Sequence, residues 1–214
     1  MSPSLYFGYG SNLWLHQMAV RCPSSPYLGV ARLSSYRWII NSRGYANVVE
    51  TKSSSDIVYG LVYTLTPADE ARLDVNEGVP VAYTKETLPC AFWKADSENR
   101  GKVDVDAPPT EEAKEMLVYI DRKRMEPAEP KGEYVVRMNK GIVDAVKMGV
   151  PKDYVDEVMR RFIPESGGEG AGKREEMEAK ALRQATRFED ESGVMASEAR
   201  WMDTLKQEEI QSGT

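Results

Sequence analysis

The run Tyr6-Phe7-Gly8-Tyr9-Gly10-Ser11-Asn12-Leu13 sets two glycines around an aromatic residue, where the short apolar segment Ser4–Tyr9 gives way to a polar turn. Glycine lets backbone N–H groups turn toward one small cavity, and a helix starting just beyond adds partial positive charge there. Such a turn suits a carboxylate or a developing oxyanion, although a glycine turn after a strand also serves structure alone. It is not a P-loop, because the lysine that would reach a phosphate is missing and the spacing is different. The second constellation is Leu73-Asp74-Val75-Asn76-Glu77-Gly78-Val79. A helix that opens at Pro67 and closes on Gly78 leaves Glu77 in its last turn, where the negative end of the helix dipole disfavours a carboxylate. That placement raises the carboxyl pKa and prepares a general base for work near neutral pH. The bland alternative is a surface glutamate at a frayed helix end. Glu50, Glu70 and Glu86 have no comparable anomaly.

Composition removes other chemistries. The chain of 214 residues has one histidine, His16, and two cysteines, Cys22 and Cys90, too few for the usual zinc ligand sets. A Ser-His-Asp or Cys-His mechanism would have to run through His16, which lies in an apparent helix beside Trp14 and Leu15. With 28 Lys+Arg against 34 Asp+Glu the net charge is −6, which gives no electrostatic reason to bind nucleic acid or an anionic membrane. No apolar run reaches the 18 or so residues of a membrane span. Cysteine usage and the N-terminal MSPSLYFGYGSN, with no basic region followed by a long apolar stretch, fit a reduced, cytoplasmic compartment.

The elements that must position these residues read as mixed α+β. Ser4–Tyr9 leads through Gly10-Ser11-Asn12 into a helix over Leu13–Arg21. Tyr27–Ile40 and Ala46–Glu50 are strands broken by the turn Asn41-Ser42-Arg43-Gly44, and Asp56–Leu65 is the strongest strand in the chain. Thr66 is the N-cap of the helix carrying Glu77, with Pro67 at its first position. Val81–Phe92, Gly101–Val105 and Met116–Tyr119 are further strand candidates, and Glu133–Met148 and Lys152–Phe162 are helices flanking Gly149-Val150-Pro151. Residues 1–164 thus form the body. From Glu165 to Thr214 the composition gives a flexible linker and a charged, partly helical tail: twelve acidic and seven basic residues put −5 there and leave −1 on the body. Within it, Lys173–Arg187 and Met195–Ile210 have helical composition, and catalysis is expected to need nothing beyond residue 164.

YFGYGSNL at 6–13, NEGV at 76–79 closing a strand–helix unit, and Tyr83 together resemble the γ-glutamylcyclotransferase (AIG2-like) family. Tyr134, the amphipathic helix after it, Gly149-Val150-Pro151 and Tyr154 are similar to that family's closing region. The resemblance covers about Leu5–Pro164, and RGYANVV at 43–49 is similar to fungal members. It implies a small β-barrel with surrounding helices and a cofactor-free, metal-free lyase. In that reaction the α-amine of a γ-glutamyl group attacks its own γ-carbonyl, releasing 5-oxoproline and a free amine. Carried over residue by residue, Glu77 is the acid/base; Tyr6, Phe7, Gly8, Tyr9, Gly10 and Ser11 form the substrate turn; and Tyr134 is a hydroxyl donor at the rim. Asn12 is expected to cap the helix and Tyr83 to be a wall. Homodimers occur in the family. YGSN favours the branch acting on γ-glutamyl amino acids in glutathione metabolism. A cyclotransferase for a γ-glutamyl conjugate or γ-glutamylamine in specialised metabolism remains an alternative, with Arg43, Tyr45, Asn47 and Arg137 toward the leaving group. A non-catalytic binding module is the other.

Overall fold

Alternating aromatic and β-branched residues give, among the described residues, seven strands: β1 (Ser4–Gly8), β2 (Tyr27–Ser34), β3 (Tyr36–Ile40), β4 (Ala46–Glu50), β5 (Ile57–Leu65), β6 (Thr84–Lys94) and β7 (Glu111–Ile120). The computed structural model describes residues 3–96, 101–165 and 171–195. In it five strands close a barrel in the order β1-β5-β2-β6-β7, and β3 and β4 form a separate hairpin. All barrel pairs are antiparallel except the seam, where β1 runs parallel to β7 with Tyr6 opposite Leu117. Closure removes the exposed edges that an open sheet of this size would leave. Side chains on both faces of these strands are fully buried, Phe7 and Val62 on one face and Val30, Leu61 and Tyr63 on the other. This is the α+β barrel that the resemblance implied.

Among the described residues, five α-helices surround it: α1 (Leu15–Arg21), α2 (Pro67–Glu77), α3 (Gly132–Met148), α4 (Lys152–Glu157) and α5 (Ala171–Thr186). Helix α2 has the expected ends: the Thr66 side chain accepts from the Asp69 N–H, Pro67 opens the helix, and Gly78 closes it at φ 66°, ψ 40°.

Other boundaries differ from expectation for tertiary reasons. The helix expected over Leu13–Arg21 is split into a 3-10 turn, Ser11–Leu13, and α1, because Trp14 is extended and the Leu15 N–H is capped by the Asp144 carboxylate of α3 at 2.9 Å. Gly101–Val105 is not a strand; its Val103 N–H bonds the Met148 carbonyl at the end of α3. Strand β7 begins five residues before the expected Met116, its charged first half pairing with Pro89–Phe92 in the second, more buried half of β6. The helix expected over Lys152–Phe162 becomes α4 followed by a 3-10 turn at Met159–Arg161.

Helix α5 packs against α3 and α1 and buries Ala181 and Ala185. Residues 187–195 then run back over the body. Most of the second tail segment, from 196 onward, lies outside the described residues.

Candidate active site

The end of β1 and the end of α2 meet. Glu77 is the last residue of α2, and its carboxylate accepts a hydrogen bond from Asn12 Nδ2 at 3.0 Å. The same amide donates to Tyr6 Oη at 2.8 Å, while Asn12 Oδ1 accepts from Gln17 Nε2 at 2.7 Å and Arg21 at 3.2 Å. Asn12 therefore does not cap a helix, as expected from sequence; its side chain is committed to holding Glu77 and Tyr6. Burial raises the Glu77 pKa, and Arg21, the Asn12 hydrogen bond, Arg43 and Arg137 only partly oppose it.

The carboxylate faces a cavity of about 40 Å³. Tyr6, Tyr9, Gly10 and Ser11 line it, together with Glu77, Tyr83 and Tyr134. Phe7 and Gly8 do not; Phe7 lies on the opposite face of β1 from Tyr6, its ring against Gly60. Tyr134, placed at the rim by the sequence, is instead buried. Its hydroxyl oxygen accepts the N–H of Ser11 and of Ala46, both at 3.2 Å. With its lone pairs occupied by two backbone donors, the phenol has its own hydrogen left to give into the cavity. Burial pushes its pKa up to about 12, so it stays protonated at neutral pH. Gly10 is required at this spot, since a Cβ there would lie 2.9 Å from the Tyr134 oxygen and 3.2 Å from Ala46 Cβ. Tyr83 is also tied to β4, donating to the Ala46 carbonyl at 2.8 Å.

Three arginines stand around Glu77. Arg137 is buried, paired twice with Glu133 at 2.8 and 2.9 Å, donates to Ser11 Oγ at 3.0 Å and lies over the Tyr134 ring. Arg21 is buried and donates to the carbonyls of Gln184 and Ala185 at the end of α5. Arg43 sits between the rings of Tyr45 and Tyr83 and pairs with Asp190 at 3.1 Å. Of the four residues assigned to the leaving-group side, Tyr45 and Arg137 line the cavity, Arg43 lies behind Tyr45, and Asn47 is away from it, bonded to the backbone of Asp121 and Arg124. Phe188, which sequence reasoning did not single out, closes one wall, its ring 5.1 Å from that of Tyr45. Arg21, Gln17 and Phe188 had no local signal, because each enters through a contact distant in the chain.

Among the described residues, the rest of the molecule offers no rival chemistry. His16 is exposed and stacks on Trp14, and both cysteines are free and buried, burial pushing each thiol up to about 12. Among the described residues no group of three or more His, Cys, Asp or Glu could hold a metal, and no helix is long and apolar enough to cross a membrane. A wider groove of about 1070 Å³, floored by Trp38, Tyr59 and Tyr154, contains neither Glu77 nor the turn. Size alone does not mark a site, and the convergence of Glu77, Tyr134 and the glycine turn outweighs it.

A fold of this kind with a half-buried carboxylate facing a glycine turn defines a class, and comparison with known proteins gives it a name. The model of the family "Gamma-glutamyl cyclotransferase, AIG2-like" matches residues 6–135, so the chain belongs to that family. It is similar to a γ-glutamylcyclotransferase of Bos taurus, 24% identical over 180 residues and covering 70% of this chain and 91% of the bovine protein. It is also similar to the Homo sapiens γ-glutamylcyclotransferase, 34% identical over 83 residues, 35% of this chain and 44% of the human protein. A solved structure described as γ-glutamyl cyclotransferase shares the fold, with a TM-score of 0.58 at 23% identity, covering 85% of this chain and 99% of that one.

Proposed function

We propose that the protein is a γ-glutamylcyclotransferase acting on γ-glutamyl amino acids or peptides, with Glu77 as general acid and base. The observation that carries this reading is the Glu77 carboxylate, raised in pKa by burial and held by Asn12, in one small cavity with the Tyr134 hydroxyl and the Tyr9–Ser11 backbone. The reaction closes a five-membered ring within one molecule. Much of the acceleration therefore comes from holding the γ-glutamyl chain folded, with its nitrogen about 3 Å from the γ-carbonyl.

The substrate amine is an ammonium at neutral pH. Glu77 takes one proton from it, the freed lone pair attacks the γ-carbon, and the carbonyl oxygen becomes an oxyanion. Tyr134, protonated and backed by two N–H groups, donates to that oxygen. Glu77 then delivers a proton to the leaving nitrogen. The C–N bond breaks, the oxyanion collapses to the lactam carbonyl, and the ring nitrogen gives up its second proton to the Glu77 carboxylate, which passes it to the departing amine, so 5-oxoproline leaves with one N–H and the amine leaves as an ammonium. No step calls on a metal or an organic cofactor.

The experiment is mass-spectrometric detection of 5-oxoproline from a panel of γ-glutamyl amino acids, γ-Glu-Cys S-conjugates, γ-glutamylamines and glutathione, with Glu77→Gln alongside. Release by the parent protein, falling about 10²–10⁴-fold in Glu77→Gln, is expected. Retained turnover in Glu77→Gln would remove the assigned role. A preference for a single conjugate would move the protein to a pathway-specific task.

A further inference from the structure

The cavity beside Glu77 is smaller than its proposed substrate. About 40 Å³ holds two or three waters and falls far short of a γ-glutamyl dipeptide. Of the residues that line it, Phe188 is contributed by the segment after α5, whereas the others lie between Tyr6 and Arg137 in the barrel and its helices. The Phe188 segment is a wall added from outside. It carries no helix or strand over 187–190; Glu189 exchanges hydrogen bonds with the Gln184 amide of α5, and the segment's ties to the body include the Phe188 N–H on Asn76 Oδ1 at 3.2 Å, the Phe188 ring on Tyr45 and Arg137, and Asp190 on Arg43 at 3.1 Å.

Arg43 is the unusual partner in that pair. Its side chain is 1% exposed, yet among the described residues its Nη1 has no hydrogen-bond partner, and neither does the buried hydroxyl of Tyr45 beside it. A buried guanidinium left partly unsatisfied is costly, and the group that would satisfy it is a planar anion able to take two N–H bonds at once. Of the guanidinium nitrogens only Nη2 meets the Asp190 carboxylate, whose other donors include the Ser192 and Met195 N–H groups and the Ser192 hydroxyl of its own segment, while Nε reaches Ser192 Oγ at 3.4 Å.

Resting on the cyclotransferase reading, we propose that Arg43, with the Tyr45 hydroxyl, is the receptor for the free carboxylate of the leaving amino acid, and that Asp190 occupies its place until substrate displaces it. When Asp190 lets go, Phe188 moves with it, being two residues away, and the cavity opens on the side where the leaving group must lie. The substrate carboxylate then replaces Asp190, so Arg43 is never left as an unpaired buried charge, a state that would be strongly unfavourable. Proximity to the acid/base also fits, since the Arg43 charge acts on Glu77. The specificity that follows is for γ-glutamyl amino acids over γ-glutamylamines, which have no second carboxylate to offer.

The test compares γ-glutamylalanine with γ-glutamylethylamine, a pair differing only in that carboxylate, by the ratio of their kcat/KM values. The parent protein is expected to favour the acid by about 10–100-fold, the range for a hydrogen-bonded charge, and Arg43→Gln to bring the ratio to near one. Because Arg43→Gln leaves Asp190 without its cation, the double variant Arg43→Gln/Asp190→Asn removes both charges and must show the same collapse. Asp190→Asn alone, with Arg43 intact and its internal competitor gone, is expected to lower KM for the acid several-fold while leaving KM for the amine within about twofold. A parent ratio near one, a ratio unchanged in Arg43→Gln and the double variant, or an unmoved KM in Asp190→Asn overturns the proposal and leaves the cyclotransferase reading in place. No 5-oxoproline from either compound with the parent protein overturns both.

Discussion

At the scale of single residues, Glu77 works against the stability of the protein that carries it. Its carboxyl pKa is raised in the folded state, so folding favours the protonated form. The stability it supplies is fully present below the unfolded carboxyl value of about 4.3 and is lost as pH rises through the folded value. Glu77→Gln keeps the oxygen that Asn12 donates to and removes the charge. Thermal melts should accordingly show Glu77→Gln more stable than the parent at pH 7.5, with the difference vanishing below about pH 4. Equal melting temperatures across that range would mean that solvent, rather than burial, sets the titration of Glu77. Its position could be read in advance because Thr66, Pro67 and Gly78 fix both helix ends with local chemistry. The role of Asn12 could not, since an asparagine beside a helix start is a sound cap until Asp144, 132 residues away in the chain, takes that work through the Leu15 N–H.

Among elements, the joint between the β1 turn, the start of β4 and α3 decides whether the site exists. Tyr134 on α3 receives N–H groups from Ser11 and Ala46, and Gly10 leaves just enough room for its oxygen. Gly10→Ala therefore pushes on a buried hydroxyl rather than into space, and a cost of about 1–3 kcal/mol is expected, with a loss of turnover. The same change made in Tyr134→Phe, where the oxygen is gone, should cost clearly less, a coupling that a double-mutant cycle by chemical denaturation measures. The glycine itself was visible in the sequence as part of a turn. Its partner was not, because the contact joins residues 124 positions apart. The strands were legible wherever one face is apolar, as in β5. The charged first half of β7 hid itself, being exposed on both faces, and the apolar-looking 101–105 segment found its hydrogen bond on the end of α3 instead of in the sheet.

On the scale of the whole molecule, α5 and residues 187–195 pack against the body. The composition of the chain after Pro164, rich in charge and glycine, gave no sign of this. The signal lies instead in buried partners that only the fold reveals: Arg21 on the carbonyls at the end of α5, and Arg43 on Asp190. Hydrogen exchange followed by mass spectrometry should find the barrel strands slowest, α5 intermediate and 187–195 fastest, with Phe188→Ala accelerating the last segment while the strands keep their rates. Protection of 187–195 equal to that of the strands would mean that this wall does not open apart from global unfolding. The order of the chain has a further consequence for a protein made from its N-terminus. Once Ile120 has been added, some 68 more residues must follow before Phe188 exists, which at typical rates of synthesis takes from about 3 to 14 s. For that interval every strand of the barrel and the residues around Glu77 through β7 have been made, while the wall contributed by Phe188 has not, so a nascent chain passes through a stage in which the Glu77 cavity lacks that cover.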